Sequence, residues 1–203
     1  MKNLFFIRST TGMQSWEYYE LKTEALMFGD VEGYKYFVDC LDAARSSTSN
    51  VHLDEISAAS NSMRVVVVPS SEIAAGEPRL RIIERPVFVN ESANMELVIC
   101  GNDGGYQHLA ALVNQAVSDT EGDPDNHLHL DDATDACLIR RSVSLNIRSP
   151  LIEWSKEKLG HWADAVLERQ PDYLPKDIDY LFKAPEPYQE IGDELASEYL
   201  QLR

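Results

Sequence analysis

An α+β fold built from two β-α-β-β repeats is predicted by three features of this 203-residue sequence. Segments 26–45 and 98–117 align without a gap and share glycines, a tyrosine and apolar side chains at helical spacing. Two similar pentapeptides, VHLDE and LHLDD, follow these segments, and runs of strand type flank both pairs. One unit cannot cover its own sheet, so we predict that both repeats share one pseudo-two-fold sheet with helices on one face.

Each predicted helix begins directly after a strand that ends at a glycine. At an offset of 72, the two copies share four positions, which are Gly29, Asp30, Gly33 and Tyr34 in the first and Gly101, Asn102, Gly105 and Tyr106 in the second. Asp30 and Asn102 are typical N-cap residues, because their side-chain oxygens accept a backbone N–H that the helix leaves unpaired. We attribute Gly33 and Gly105 to close packing of each helix against a strand.

The His-Leu-Asp pentapeptides mark the next strand of each repeat. His52 and Asp54 of the first copy correspond to His129 and Asp131 of the second copy at an offset of 77. The change of five residues between the two offsets falls in the acidic loop SDTEGDPDN, which the first copy lacks. Two offsets separated by one loop insertion indicate a duplication.

Strand-like runs complete each repeat. The last strand is predicted from the apolar run VVVV of the first copy and the alternating run SVSLNI of the second copy. In this part of the sequence, MRVVVV at 63–68 corresponds to RRSVSL at 140–145 at the same offset of 77. Another strand-like run precedes each repeat, in WEYYELK at 16–22 and in RLRIIE with VFV at 80–89.

These elements define a core and an appendage. We place the duplicated core at residues 1–148, with repeat one at about 15–69 and repeat two at about 79–148. Residues 149–203 contain amphipathic helical patterns interrupted by prolines and carry no motif. We predict that this segment is a C-terminal helical appendage.

The charge balance limits the classes of partner. The chain carries 18 basic and 34 acidic residues, which give a formal net charge of -16. Such a charge repels the phosphates of nucleic acids and anionic lipids, so we expect neither nucleic-acid nor membrane binding. A basic protein is the partner that this charge favours.

The cysteines and the N-terminus favour a cytoplasmic protein. Cys40, Cys100 and Cys137 are dispersed and form no CxxC pair, which is typical of a reducing compartment. The N-terminal apolar run lacks the features of a signal peptide, and no apolar stretch approaches the roughly 20 residues that span a bilayer.

The stretch NHLHLDD is the strongest candidate for a chemical site. Alternation along a strand would place His127, His129 and Asp131 on one face, and imidazole and carboxylate groups at this spacing are typical metal ligands. The first copy keeps only the last two of these residues, as His52 and Asp54. The shared feature is therefore a single His-Leu-Asp, which favours a structural role for the strand. We predict no metal site, and if a metal is bound we expect His127, His129 and Asp131 as its ligands.

Two weaker signals could indicate a phosphate or a calcium site, but neighbouring residues argue against both, so we predict no cofactor. Glycines at a helix N-terminus can admit a phosphate, but Asp30, Glu32 and Asp103 would repel it and no Walker or dinucleotide motif is present. The acidic loop that starts at Asp119 resembles a calcium loop, yet Pro124 stands where that loop requires glycine.

The order of these motifs resembles the immunity protein thirty-two family, a group of short proteins associated with bacterial polymorphic toxins. The residues that carry the resemblance are GNDGGYQHLAALVNQA and HLHLD, with GDVEGYKYFVDCLDAA and VHLDE as an earlier copy. The resemblance covers residues 25–68 and 96–147, and the tandem copies and helical tail depart from the single small domain of that family. It implies a non-enzymatic inhibitor that binds a toxin domain.

We therefore expect a cytoplasmic, non-enzymatic protein-binding module of toxin-neutralising, immunity type. The alternative from another class is a small metal-dependent hydrolase that uses His127, His129 and Asp131. Metal content and its loss on His129→Ala would distinguish the two.

Overall fold

Eight strands, four α-helices and a short 3-10 helix (Ser70–Glu72) lie in the described part of the chain. The computed structural model describes residues 3–14, 19–53, 63–89, 92–118, 127–148, 150, 155–169, 171, 178, 181–184 and 188–202. The first half contains β1 (Leu4–Gln14), β2 (Tyr19–Gly29), α1 (Val31–Ser46), β3 (Val51–His52) and β4 (Arg64–Val67). The second half contains β5 (Leu80–Val89), β6 (Ser92–Gly101), α2 (Asp103–Ser118), β7 (His127–Leu130) and β8 (Ser144–Arg148). The C-terminal part contributes α3 (Lys156–Arg169) and α4 (Gln189–Gln201). The α+β class is confirmed.

The strands form two four-stranded sheets, so the prediction of one shared sheet is wrong. Their orders are β1-β2-β8-β7, which we call sheet A, and β3-β4-β6-β5, which we call sheet B. Each sheet joins the first hairpin of one half to the last hairpin of the other half through a parallel pair, β2 with β8 or β4 with β6. The two halves therefore exchange their last strands, because the last hairpin of each half pairs with the first hairpin of the other half.

A few backbone hydrogen bonds link the two sheets. The N–H of Met63 donates to Phe6 O at 2.6 Å, and the N–H of Val143 donates to Ile82 O at 2.8 Å. The first bond joins the residue before β4 to β1, and the second bond joins the residue before β8 to β5. The sheets therefore meet at their edges and do not form one continuous sheet.

The first strand of the first half was not predicted from the sequence, whereas β5 of the second half coincides with the run predicted at 80–89. β1 runs through the N-terminal apolar segment, which lies before the predicted start of repeat one at residue 15. The side chains of residues 4–7 are buried on both faces, with Leu4 and Phe6 on one side and Phe5 and Ile7 on the other. A strand buried on both faces lacks polar alternation, so its period is difficult to recognise. The observed order in each half is strand, strand, helix, strand, strand.

Strand pairing also corrects the predicted correspondence of the last strands. Glu24 of β2 pairs with Ser144, and Glu96 of β6 pairs with Arg64. Arg64 therefore occupies the position of Ser144, and the predicted match of 63–68 with 140–145 is wrong by three residues. The duplication itself stays a prediction.

One hydrophobic core lies between the helices and both sheets. Residue Arg45 at the end of α1 contacts Asp103 at the start of α2, with Nε 2.5 Å from Oδ1, so the helices pack antiparallel. Their buried faces share a core with residues of both sheets, including Tyr34, Phe37, Leu41, Tyr106, Leu109, Val113, Met27, Val67, Ile99 and Ile147. Burial of these apolar side chains is the main stabilising contribution to the fold.

The C-terminal part covers the opposite face of sheet A. Phe5, Ile7, Leu26 and Phe28 form a second buried cluster, against which Tyr188 packs. The rings of Phe5 and Tyr188 meet edge to face with centroids 6.5 Å apart. The helices of this part have their own cluster, which is Leu159, Ala163, Ile178, Leu181, Phe182, Leu195 and Ala196.

Both core helices begin as predicted. Asp30 Oδ1 accepts the N–H of Gly33 at 2.7 Å, and Asn102 Oδ1 accepts the N–H of Gly105 at 2.9 Å. A Cβ atom on Gly33 would overlap the carbonyl oxygen of Asn3. Gly33 therefore packs directly against the backbone that leads into β1.

Asn102→Asp is expected to lower the free energy of unfolding by about 1–2 kcal/mol. The amide nitrogen of Asn102 donates to Glu77 O at 2.8 Å and to Ala74 O at 3.3 Å, and the residue is only 3% exposed. Aspartate would place a carboxylate oxygen against these two carbonyls. Urea denaturation followed by circular dichroism measures the change.

The exposed neighbour Asp103 provides a matched control. Asp103→Asn makes the reverse exchange one residue along the chain and should change stability clearly less, because the Asp103 carboxylate is solvated. Equal stability of Asn102→Asp and the native protein would contradict the assigned role of the amide.

Candidate functional site

The predicted His-Leu-Asp strand is β7, at the edge of sheet A. Leu128 and Leu130 pack toward the core, while His127 and His129 lie on the opposite face of the sheet. The two imidazole rings are in edge contact, with centroids 4.7 Å apart. Alternation along the strand therefore places both histidines on one face, as predicted.

His129 belongs to a polar group on this face. Its Nδ1 lies 3.2 Å from Oε1 of Glu24, and its Nε2 lies 3.4 Å from Nδ2 of Asn146. Glu24 and Asn146 are 7% and 0% exposed, whereas the side chain of His129 is 47% exposed. The imidazole therefore covers a buried carboxylate and amide at the sheet surface.

Asp131 has a local structural contact. Its Oδ1 accepts the N–H of Ala133 at 2.7 Å, which shapes the turn after β7, and Oδ2 lies 3.4 Å from the hydroxyl of Ser144. An aspartate that accepts a backbone N–H two residues along is typical of a turn. This contact agrees with a structural role for the His-Leu-Asp element.

The equivalent surface of sheet B has different partners. His52 is exposed at the end of β3, and Asp54 lies outside the described residues. The buried carboxylate there is Glu96, whose Oε2 lies 2.5 Å from Nε of Arg85 on the adjacent strand. In sheet A, the residue that pairs with Glu24 on the adjacent strand is Ser9, at the position that Arg85 has in sheet B. The two halves therefore surround a similar glutamate with different side chains.

The structure brings together a set of metal-ligand types that the sequence did not predict. In the described part of the chain, the only group of three or more His, Cys, Asp or Glu residues whose donor atoms all lie within 4.8 Å of one another is His108, Asp135 and Cys137. The set of His127, His129 and Asp131 does not meet this criterion.

His108 and the turn that follows β7 supply this group. His108 Nε2 lies 2.7 Å from Asp135 Oδ2, and Asp135 Oδ1 accepts the N–H of Cys137 at 2.8 Å. The side chains of His108 and Asp135 are 36% and 19% exposed, and Cys137 is buried. A short Asp-x-Cys spacing was the only signal in the sequence, since His108 lies on another element.

Burial changes the chemistry of the Cys137 thiol. Desolvation, with a smaller effect of the Asp135 carboxylate, raises the pKa of Cys137 to about 11. Burial likewise raises the pKa of Cys100, which is only half-buried. Neither thiol has the depressed pKa of a catalytic nucleophile.

All three cysteines are reduced thiols, and their burial predicts the order of alkylation. In the presence of a chelator, we expect iodoacetamide at neutral pH to modify Cys100 before Cys40 and Cys137, because the last two are 4% and 8% exposed. Each buried thiol should react at least about tenfold more slowly than in urea. Peptide mass spectrometry over time measures the three rates, and fast native labelling of Cys137 would contradict its burial.

The two remaining features considered from the sequence are the glycine turns at the helix starts and the acidic loop. The N–H groups of Gly33 and Gly105 already donate to the N-cap side chains, so they are not available to a phosphate. The acidic loop at residues 119–126 lies outside the described residues.

Comparison with known protein families, curated proteins and solved structures finds no match for this chain. Among the described helices, none combines the length and the apolar character needed to cross a bilayer.

Proposed function

We propose that this chain is a non-enzymatic protein-binding module of toxin-neutralising, immunity type, which acts in the cytoplasm on a basic partner. The observation that carries the proposal is the formal net charge of -16. A field of this sign accelerates the approach of a basic protein and opposes the approach of nucleic acid. The resemblance of the glycine turn, the helix and the HLHLD strand to an immunity family supports the same class.

Among the described helices, α4 has the largest excess of acidic over basic residues. This helix contains four exposed acidic residues and no lysine or arginine, the acidic residues being Glu190, Asp193, Glu194 and Glu198. Lys156 of α3 binds two of them, with Nζ 2.9 Å from Glu194 and 2.5 Å from Glu198. Glu190 and Asp193 therefore contribute most directly to the field outside the protein.

Salt-dependent capture tests the proposal. The tagged full chain should retain a basic protein from lysate of its source cell at low ionic strength, and the amount retained should fall steeply as salt is added. The purified partner should then bind in a defined ratio, with an association rate that shows the same salt dependence. Failure to capture any basic protein, or capture that is independent of salt, would refute the proposal.

A pair of double variants tests the contribution of α4. Glu190→Gln with Asp193→Asn should slow association with the captured partner more than Glu32→Gln with Asp39→Asn on α1. Both pairs remove two exposed carboxylates, one of them in the first turn of its helix. Equal effects would show that the general field acts without a preference for α4.

The hydrolase alternative remains a prediction with less support. Its proposed ligands are not among the groups of close donor atoms in the described residues, and Asp131 contacts a turn N–H and Ser144. A hydrolytic activity that requires metal and is abolished by His129→Ala would favour it over the binding module.

A further inference from the structure

We propose that His108, Asp135 and Cys137 form a binding site for a zinc-type transition-metal ion, with a fourth position open to water. The site is separate from the HLHLD strand and does not depend on the proposed function. The ion would connect α2 to the turn between β7 and β8.

The backbone holds two of the ligands in place without a metal. The N–H of Asp135 donates to Asp131 O at 2.8 Å, and Cys137 O accepts the N–H of Leu80 at 2.8 Å. The N–H of Cys137 donates to Asp135 Oδ1, which leaves Oδ2 directed at His108. The turn is therefore fixed to β5 on one side, and its carboxylate is oriented by its own backbone.

The donor atoms are near enough to one another for a metal site to form after small side-chain movements. With metal–nitrogen and metal–oxygen bonds of about 2.0–2.2 Å and a metal–sulfur bond of about 2.3 Å, donor atoms of a tetrahedral zinc site lie about 3.3–3.6 Å apart. The three donor atoms here all lie within 4.8 Å of one another, and His108 Nε2 is 2.7 Å from Asp135 Oδ2. Side-chain movements of about 1 Å or less would admit the ion, which would replace the hydrogen bond between imidazole and carboxylate.

The donor types select the metal. Thiolate sulfur and imidazole nitrogen bind zinc and cobalt, whereas magnesium and calcium require oxygen ligands. The exposed side of the group, formed by His108 and Asp135, gives the ion and a coordinated water access to the site. Three protein ligands and one open position are a common zinc arrangement.

Without a metal, the same contacts describe a hydrogen bond between His108 and Asp135 that fixes the turn to α2. The two interpretations differ in the role of sulfur, since Cys137 is needed for the metal and not for the hydrogen bond. Cobalt is the suitable probe, because a thiolate–cobalt bond gives a charge-transfer band that a hydrogen bond cannot produce.

The experiment uses the full chain, stripped with a chelator and titrated with Co²⁺ and then with Zn²⁺. We expect one equivalent to bind with a thiolate charge-transfer band, zinc to displace cobalt, and zinc to raise the melting temperature. Cys137→Ser should abolish the band and weaken binding at least about tenfold, whereas Cys100→Ser and His129→Ala should preserve both.

Asp135→Asn is the second variant. It keeps the oxygen that accepts the Cys137 N–H and removes the anionic ligand, so it should weaken cobalt binding while the fold, checked by circular dichroism, is retained. If Cys137→Ser does not fold, this variant alone decides the question. Absence of saturable binding, a band that survives Cys137→Ser, or cobalt affinity unchanged in Asp135→Asn would overturn the proposal.

Discussion

Gly105→Ala is expected to lower the free energy of unfolding by about 3 kcal/mol, near the upper end for overpacked sites. A Cβ atom at this position would overlap the carbonyl oxygen of Arg79, which also accepts the N–H of Asn102 at 3.1 Å. A backbone group in a paired segment cannot move aside as a flexible side chain could. The first turn of α2 would have to shift away from β5. Urea denaturation of the purified variant measures the loss.

The same substitution in α3 is the control. A Cβ atom on Gly160 would have only an ordinary contact with Leu195, at 3.9 Å. Glycine inside a helix is less favourable than alanine by about 1 kcal/mol, so Gly160→Ala should stabilise the chain or leave it unchanged. A loss in Gly160→Ala equal to that in Gly105→Ala would show that the carbonyl contact is not the cause.

Tyr34→Phe is expected to lower the free energy of unfolding by about 2 kcal/mol. The Tyr34 hydroxyl lies 2.5 Å from Arg148 O and 3.1 Å from Met27 O, and the residue is fully buried. It thus bridges the ends of the parallel strands β2 and β8, which come from different halves of the chain. Phenylalanine would keep the ring and leave these carbonyl groups without the hydroxyl donor.

Tyr106 provides an independent comparison in sheet B. Its hydroxyl contacts Val68 O and lies 3.2 Å from Ile99 O, at the ends of β4 and β6. Tyr106→Phe should therefore cost a similar amount of stability. If both variants are as stable as the native protein, the bridging hydroxyls do not hold the exchanged strands.

The buried tyrosine also predicts a dependence on alkaline pH. Burial raises the pKa of Tyr34 above its ordinary value, with a smaller opposing effect of Arg148. Above about pH 10 the unfolded chain releases the phenolic proton and the folded chain keeps it, so stability should fall as the pH rises. Tyr34→Phe should reduce this slope in denaturation curves recorded between neutral and alkaline pH.

Local sequence patterns predicted the helices and their starts. Residues Asp30 and Asn102 accept N–H groups of the first turn, and Gly33 and Gly105 pack against Asn3 and Arg79. These features depend on residues close in sequence or on the absence of a side chain, so a single chain carries their signal. The strand β1 was missed because it is apolar on both faces.

The candidate site was predicted less well than the helices. Alternation placed His127 and His129 on one face, but the contact of His129 with Glu24 depends on the pairing of β2, β8 and β7. His108 meets Asp135 across 27 positions and from a different element. No spacing rule within one strand or helix could find that pair.

The sequence by itself determined the α+β class, the helix caps and the acidic character of this protein. Only the tertiary structure decided that the halves exchange their last strands into two sheets, and that the close group of metal-ligand types is His108, Asp135 and Cys137 rather than the HLHLD residues. The physical reason is the separation along the sequence of the residues that interact. Capping and periodicity act over a few residues, whereas strand exchange and side-chain clusters depend on how distant segments share one core.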